Sequence, residues 1–292
     1  MLPSVNSLRF RLFVLVLIAL IPALGLTLYT GLKQQEAAAS DVEQDALRIS
    51  RLAVSSQEVL IDSTRYLMTS LASNPLVLDS ESGECDRVLA GLVKQFPDYA
   101  ILGVAGPQGE VYCASMDIGQ AANAAHQPFF TQALQSGQFV VGDYTLGSDN
   151  KMYLPMAYPI LAPDNSLHGM LIAVLNMAWL DRVMEEANLP ERSAILVLDQ
   201  DGPVITRIPD PENWAGKNLR EETVVASILN RHDSGTIQAI GLDGVRRLYA
   251  FTPLLTSDQT TSYLATGLST EIAYAEVNRT LFTNLTVLSI VA

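Results

Sequence analysis

The chain reads as an α+β protein in which one long helix precedes two tandem copies of an antiparallel unit, with apolar membrane segments at both ends. Three observations predict this. Residues Leu12 to Leu32 form a run of 21 without a charge. About 250 polar, acidic residues follow, and they open on a long amphipathic pattern. Within them a strand–turn–strand signature occurs twice, with Ala100 and Ala194 at equivalent places 94 residues apart.

As a helix rising about 1.5 Å per residue, the first run covers roughly 30 Å, the hydrocarbon thickness of a bilayer. Arg9 and Arg11 precede it and keep residues 1–11 in the cytoplasm by the positive-inside rule, so everything after Leu32 is exported. Pro22 and Gly25 are compatible with a membrane helix. The alternative is a cleaved signal peptide ending near Ala37-Ala38-Ala39, but its apolar core is typically about 7–15 residues, shorter than this run. At the other end, residues 273–292 read as the start of a second membrane helix. Its apolar part, Leu281 to Ala292, has 12 residues, about 18 Å of helix, which is too short to cross. The expectation is a second span cut short, in an inner-membrane protein whose main domain is periplasmic.

Charge and cysteine usage agree with export. All 31 Asp and Glu follow Leu32 against 16 Lys and Arg, a balance of −15. Such a surface repels nucleic acid and anionic headgroups, which excludes a nucleic-acid partner. The two cysteines, Cys85 and Cys113, form an even pair in an oxidising compartment and read as a disulfide, with two buried thiols as the alternative. Closing a loop of about 28 residues would contribute roughly 3 kcal/mol. Two cysteines without nearby histidines cannot complete a metal site.

Residues 33–75 carry the long helix, ended by Asn74-Pro75. Gln44, Arg51, Glu58 and Arg65 recur every seven residues beside Asp41, Arg48, Ser55 and Asp62, making a narrow polar face. The apolar arc that remains is wider than a two-stranded seam requires. It predicts a helix that packs on its own domain with one flank and on a second copy with the other, Leu47 and Val54 being placed on the partner flank. A core helix without a partner is the alternative.

Residues 76–178 and 191–272 are the two copies, joined by a helix over 179–190. Ala100 to Val104 passes through Gly106-Pro107-Gln108-Gly109 into Val111-Tyr112-Cys113; Ala194 to Leu198 passes through Asp199-Gln200-Asp201-Gly202 into Val204-Ile205-Thr206. A hairpin follows in each, ending in Ala157-Tyr158-Pro159-Ile160-Leu161 and in Phe251-Thr252-Pro253-Leu254-Leu255, the two prolines again 94 residues apart. Each copy closes on an apolar strand, Gly169 to Met177 and Tyr263 to Leu268. A duplicated α+β unit explains the pattern.

These elements, with Phe129-Phe130, Val140-Val141-Gly142-Asp143-Tyr144, Pro155, Tyr158-Pro159-Ile160 and Gly169-Met170-Leu171 in the first copy, carry a resemblance. The second copy adds Asp201-Gly202, Pro209-Asp210-Pro211, Trp214, Asp243-Gly244 and Tyr249-Ala250-Phe251. From Gln34 to Ala292 the chain resembles the double Cache sensor domain of bacterial receptors, a tandem of PAS-like units. The resemblance implies a small ligand in the membrane-distal half and an output module, a histidine kinase, diguanylate cyclase or chemoreceptor, after the second membrane helix. In the amino-acid-binding branch an Arg-x-Trp-aromatic motif holds the ligand carboxylate and an Asp holds its amine. The matching residues here are Gln127-Pro128-Phe129-Phe130 and Asn176. Both charged clamps are amides, so a zwitterion would lose its charge-assisted bonds and a standard α-amino acid is not expected. A neutral or weakly polar ligand fits a site offering Gln127, Phe129, Phe130, Tyr144, Met156, Tyr158 and Asn176, some of which are equally at home in a core.

No catalytic constellation emerges. His126, His168 and His232 are scattered, nucleophile-elbow and phosphate-loop patterns are absent, and Asp199-x-Asp201-Gly202 lacks the later ligands of a calcium loop. Ser148-Asp149-Asn150 and Pro163-Asp164-Asn165-Ser166 read as turns. No metal and no cofactor are expected. The sequence leaves open a ligand-sensing receptor ectodomain, a membrane-tethered exported enzyme, and a protein-interaction module without a small ligand.

Overall fold

The computed structural model describes residues 8–78, 83–117, 123–162, 166–231, 233–255 and 261–273, with 275, 279, 280, 282, 283 and 286 beyond them. The second membrane segment from Leu281, the turn at 163–165 and His232 thus lie largely or wholly outside the described residues.

One helix, α1 (Leu8–Leu71), runs through 64 residues. Its buried positions from Ala46 on are Ala46, Ile49, Ser50, Ala53, Gln57, Thr64, Met68 and Leu71, a helical spacing that lays one seam against the rest of the protein. Small and polar side chains dominate that seam because the helix packs directly on two sheets and is pinned by hydrogen bonds. Ser50 Oγ donates to Ala250 O at 3.0 Å and lies 3.0 Å from Thr266 Oγ1, while Thr64 Oγ1 is 3.0 Å from Tyr99 Oη. The first of these contacts reaches the second half of the chain and the other the first half. The half that comes later in sequence therefore lies nearer the N-terminal end of α1.

The partner flank of α1 differs from the expectation. Leu47 packs beside Ala46, Leu248 and Leu268, and Val54 beside Ala53, Ile195 and Leu264. Both belong to the intramolecular seam because each lies next to a buried position on the helical wheel. The exposed apolar residues are instead Leu52, Val59 and Tyr66, seven apart, at 48%, 63% and 74% exposure. Further towards the N-terminus Ile18, Ile21, Leu26, Tyr29 and Leu32 are all more than half exposed. Most other side chains of the 12–32 segment are outside the described set, and among the described residues no helix is long and apolar enough to cross a membrane.

The distal half is an antiparallel sheet of β1 (Tyr99–Ala105), β2 (Val111–Ala114), β3 (Val140–Val141), β5 (Met152–Leu161) and β6 (Leu167–Leu175), in the order β2-β1-β6-β5-β3, with β4 (Thr145–Leu146) paired to β5. Helix α1, the short α2 (Pro75–Leu78) and α3 (Glu84–Gln95) cover one face, and α4 (Pro128–Ser136) the other. After α5 (Ala178–Glu186) comes a second antiparallel sheet of β7 (Ala194–Asp199), β8 (Val204–Ile208), β9 (Gly235–Ile240), β10 (Arg246–Leu255) and β11 (Thr261–Ser269), in the order β8-β7-β11-β10-β9. The two orders are the same topology, so the internal repeat is real. Here α1 and α5 cover one face, and α6 (Pro211–Trp214) and α7 (Thr223–Leu229) the other. The chain then enters α8 (Thr270–Ala273).

Cys85 on α3 and Cys113 on β2 are joined, clamping the helix to the sheet edge across 28 residues of sequence. Replacing both with alanine should cost about 3 kcal/mol and lower Tm by roughly 6–12 °C, measured by calorimetry. Two thiols labelled per denatured, unreduced chain would refute the bridge.

Candidate functional site

Alternation along β5 decides which side chains can form a site. Leu154, Met156 and Ile160 point into the core beneath α1 and α3, with Tyr158 partly buried beside them. Tyr153 and Pro155 point to the α4 side. On that side a cleft of about 520 Å³ lies between the start of α4, strands β1, β5 and β6, and the turn that joins β4 to β5. Ile101, Met116, Phe129, Pro155 and Val174 give it apolar walls; Gln127, Thr145, Ser148, Asp149 and Tyr153 supply its polar groups.

Local sequence explains the shape. Pro128 opens α4 with φ already suited to a helix, and Gln127 precedes it in extended conformation, its side chain making no cap bond, so the amide stays at the rim. Gly142 follows β3 where a Cβ would stand 2.7 Å from that of Phe129, so glycine lets this edge close on α4. Asp149 is the only charged side chain lining the cleft among the described residues. Its Oδ2 accepts the Tyr153 hydroxyl at 2.8 Å and its Oδ1 the Lys151 N–H at 3.2 Å. The Tyr153 bond holds the Asp149 carboxyl below the usual carboxylate range, while burial, and then the hydrogen bond to Asp149 and its charge, push the Tyr153 phenol up.

Of the residues expected from sequence, the structure brings Gln127 and Phe129 to the cleft and places five elsewhere. Phe130 is buried under α4 with Ala157 and Met170, one helical position away from the cleft. Met156 and Tyr158 face the opposite side of the sheet by β5 parity. Tyr144 turns towards α1, where its hydroxyl donates to Gln57 Oε1 at 2.7 Å and burial raises its pKa. Asn176 lies outside this cleft, at the neighbouring hollow, with its amide engaged: Nδ2 donates to Pro97 O at 2.7 Å, and Oδ1 accepts the Ala178 N–H at 2.9 Å at the start of α5. Sequence reasoning misses Asp149 and Tyr153, the first because a turn residue has no strand partner to betray its direction.

A neighbouring hollow of about 320 Å³ separates the two halves, lined by Lys151, Met152 and Tyr153 from one and by Thr206, Ile208 and Ala215 from the other. At Gly216, where φ is +76°, a Cβ would stand 3.1 Å from Leu146 Cδ2, so β4 bears closely on the proximal half. A larger hollow of about 590 Å³ over α3 and β2 offers charged groups already engaged: Asp86 accepts the Ala114 N–H at 2.8 Å, and Arg87 pairs with Glu84 at 2.6 Å.

The profile of the Cache domain family matches residues 33–280, most of the chain. The chain belongs to the Cache domain family. No curated protein sequence matches it. Among solved structures it is similar to the ligand-binding domain of the Pseudomonas aeruginosa amino acid chemoreceptor PctB in complex with L-Arg, at 17% identity and TM-score 0.59, over 81% of this chain and 98% of that one. It is also similar to the ligand-binding domain of the Pseudomonas fluorescens chemoreceptor CtaA in complex with L-isoleucine (13% identity, TM-score 0.60, 83% and 98% covered). A domain of a sensory box/GGDEF family protein from Vibrio parahaemolyticus is similar at 12% identity and TM-score 0.60, over 81% and 99%. At these identities the likeness concerns the fold, and it agrees with the two tandem PAS-like sheets behind a long helix.

Proposed function

We propose that this Cache domain is the extracytoplasmic small-molecule sensor of a bacterial transmembrane receptor, held in the inner membrane by Leu12 to Leu32. The uncharged run, the exposed apolar residues along the described part of that helix and the acidic portion after it support the anchoring. The distal cleft carries the reading. It has apolar walls and a few convergent polar groups, the usual make-up of a ligand site, and the hairpin that roofs it reaches the proximal half through Leu146. Ligand contact with the turn at 147–149 would shift that hairpin, and the proximal half would pass the change to an output module beyond α8. A ligand transmits only through its different affinities for the two arrangements.

The relatives that bind L-Arg and L-isoleucine make amino acids the first ligands to test. No Arg or Lys lines this cleft among the described residues, so an α-carboxylate would find no ionic partner, which favours a ligand without one. A pure protein-interaction module would be favoured by a filled cleft, and this one is open.

Binding to the full chain in detergent, followed by thermal shift and calorimetry, tests the proposal. Ile101→Trp should fill the cleft and abolish binding of any ligand found. Gln127→Ala should weaken it by about 1–3 kcal/mol. Asp201→Ala, in the β7–β8 turn of the proximal half, should leave it unchanged. A ligand that ignores Ile101→Trp binds elsewhere and removes the cleft from the mechanism.

A further inference from the structure

The same hairpin occurs in both halves at the repeat offset of 94 residues, Gly147 to Tyr153 corresponding to Gly241 to Arg247. The Gly147 N–H donates to Lys151 O at 2.7 Å and the Lys151 N–H to Asp149 Oδ1 at 3.2 Å. Correspondingly, the Gly241 N–H donates to Val245 O at 2.8 Å and the Val245 N–H to Asp243 Oδ1 at 3.2 Å. Asn150 and Gly244, the residues after each Asp, both have left-handed φ, 60° and 77°. Asp149 and Asp243 are therefore the same carboxylate in two copies of one device, four residues before a side chain that differs.

In the proximal copy that side chain is Arg247. Its Nη1 and Nη2 donate to Asp243 Oδ1 and Oδ2 at 2.6 and 2.7 Å, and Arg207 Nη2 donates to Oδ2 at 2.5 Å. Both guanidiniums are almost fully buried, and the ring of Trp214 lies 5.6 Å from Arg207 Cζ. The protein itself supplies the cation that this carboxylate holds. In the distal copy the hydrogen-bond partner at this place is Tyr153, which is neutral, and the exposed Lys151, two residues on from Asp149, acts on the carboxylate by charge without a side-chain bond. There the carboxylate opens on a cleft lined by Ile101, Phe129, Pro155 and Val174, with no basic side chain among the described lining residues.

We infer that the distal cleft takes a small organic cation, a protonated amine or guanidinium on an apolar body, with its charged group on Asp149 where the proximal half seats the Arg247 guanidinium. The inference rests on the cleft being the ligand site. Charge-assisted bonds are about twice as strong as neutral ones, and at the exposed Asp149 such a bond selects for a cation while the apolar walls supply the rest of the binding. Phe129 and the other apolar walls accept the body. The net charge of −13 draws cations towards the domain and repels competing anions. Relative to the sequence expectation of a neutral ligand, what changes is the single carboxylate that the turn places at the cleft.

Calorimetry on the full chain in detergent, with 2-phenylethylamine, tryptamine, butylamine and butylguanidine, each beside its matching alcohol and carboxylate, reads this directly. At least one cation should bind about tenfold or more tighter than its alcohol, and Asp149→Asn should remove that advantage. Tyr153→Arg should install the proximal ion pair and abolish cation binding while the variant keeps its melting transition. Equal affinity for alcohol or carboxylate, an amine indifferent to Asp149→Asn, or a panel in which no cation binds would each overturn the cation assignment. A neutral ligand lost on Ile101→Trp yet unaffected by Asp149→Asn would keep the cleft and reject only the cation; a ligand unaffected by Ile101→Trp would reject the cleft itself.

Discussion

Asp243→Ala should destabilise the protein by about 3–5 kcal/mol, because it strands two buried guanidiniums that share one carboxylate. The side chains of Arg207 and Arg247 are only 3% and 2% exposed, whereas that of Asp243 is 29% exposed, so water reaching the site favours the lower end of the range. Arg247 cannot turn away to solvent, since its Nε also donates to Arg192 O at 2.7 Å. The hydrogen bonds and charge of Arg247, with the charge of Arg207, hold the Asp243 carboxyl well below the usual carboxylate range against the cost of burial. A carboxyl whose pKa is depressed by folding stabilises the fold above its unfolded value, near 4, and that contribution is lost as pH falls from there through the folded value. Urea titrations should therefore show wild type losing stability below about pH 4 more steeply than Asp243→Ala does. Parallel curves would mean that the ionisation of Asp243 is not linked to folding. Replacing Asp243, Arg207 and Arg247 together with apolar residues should cost much less than Asp243→Ala alone, since no buried charge is then left without a partner.

The architecture is legible in the sequence because periodicity and repetition report it directly. Alternating apolar residues mark the strands, and the 94-residue offset marks two copies, which share one strand order. The cysteine pair marks the disulfide for a similar reason, two thiols having only each other to choose from. The site is less legible. Gln127 and Phe129 come through the resemblance to a family motif, and both line the cleft. Met156 and Tyr158 belong to the right strand but the wrong side, since a period of two says which residues share a face and not which face meets a ligand, and Tyr144 lies between β3 and β4, where no strand alternation fixes its direction. Asn176 looks in sequence like a buried amide in need of partners, and it has them in Pro97 and Ala178. Asp149 reads as part of a turn, which it is. The feature that distinguishes it lies in the repeat, whose offset aligns Asp149 and Tyr153 with Asp243 and Arg247. An acid that keeps its place in one copy while its basic partner is replaced by a neutral residue has a charge left to offer a ligand.

Val59→Glu should convert a dimer of this chain to monomer, weakening association by about tenfold or more, and should leave ligand affinity in the distal cleft unchanged. The dimer is the proposal; the flank that supports it is the row Leu52, Val59 and Tyr66, one residue per heptad, opposite the seam that binds α1 to its own sheets. Arg48, Ser55 and Asp62 fall between them and Arg51, Glu58 and Arg65 beside them, so an apolar stripe is bordered by charges of both signs. That is the arrangement in which two parallel helices bury a stripe and set register with flanking charges. A shared membrane would bring two copies together already parallel. A glutamate at Val59 would put two carboxylates across the seam, whereas one at Leu47 would be forced into the intramolecular core and should lower Tm instead. Cysteine substitution separates the two cases, since the native cysteines are both engaged in the disulfide. Val59→Cys should cross-link in the membrane under mild oxidation, and Leu47→Cys should not. Cross-linking of Leu47→Cys alone would return the partner to the flank that the sequence pattern favours. Sedimentation showing a monomer for wild type and Val59→Glu alike would remove the dimer, and α1 would then act as the spine of a single copy.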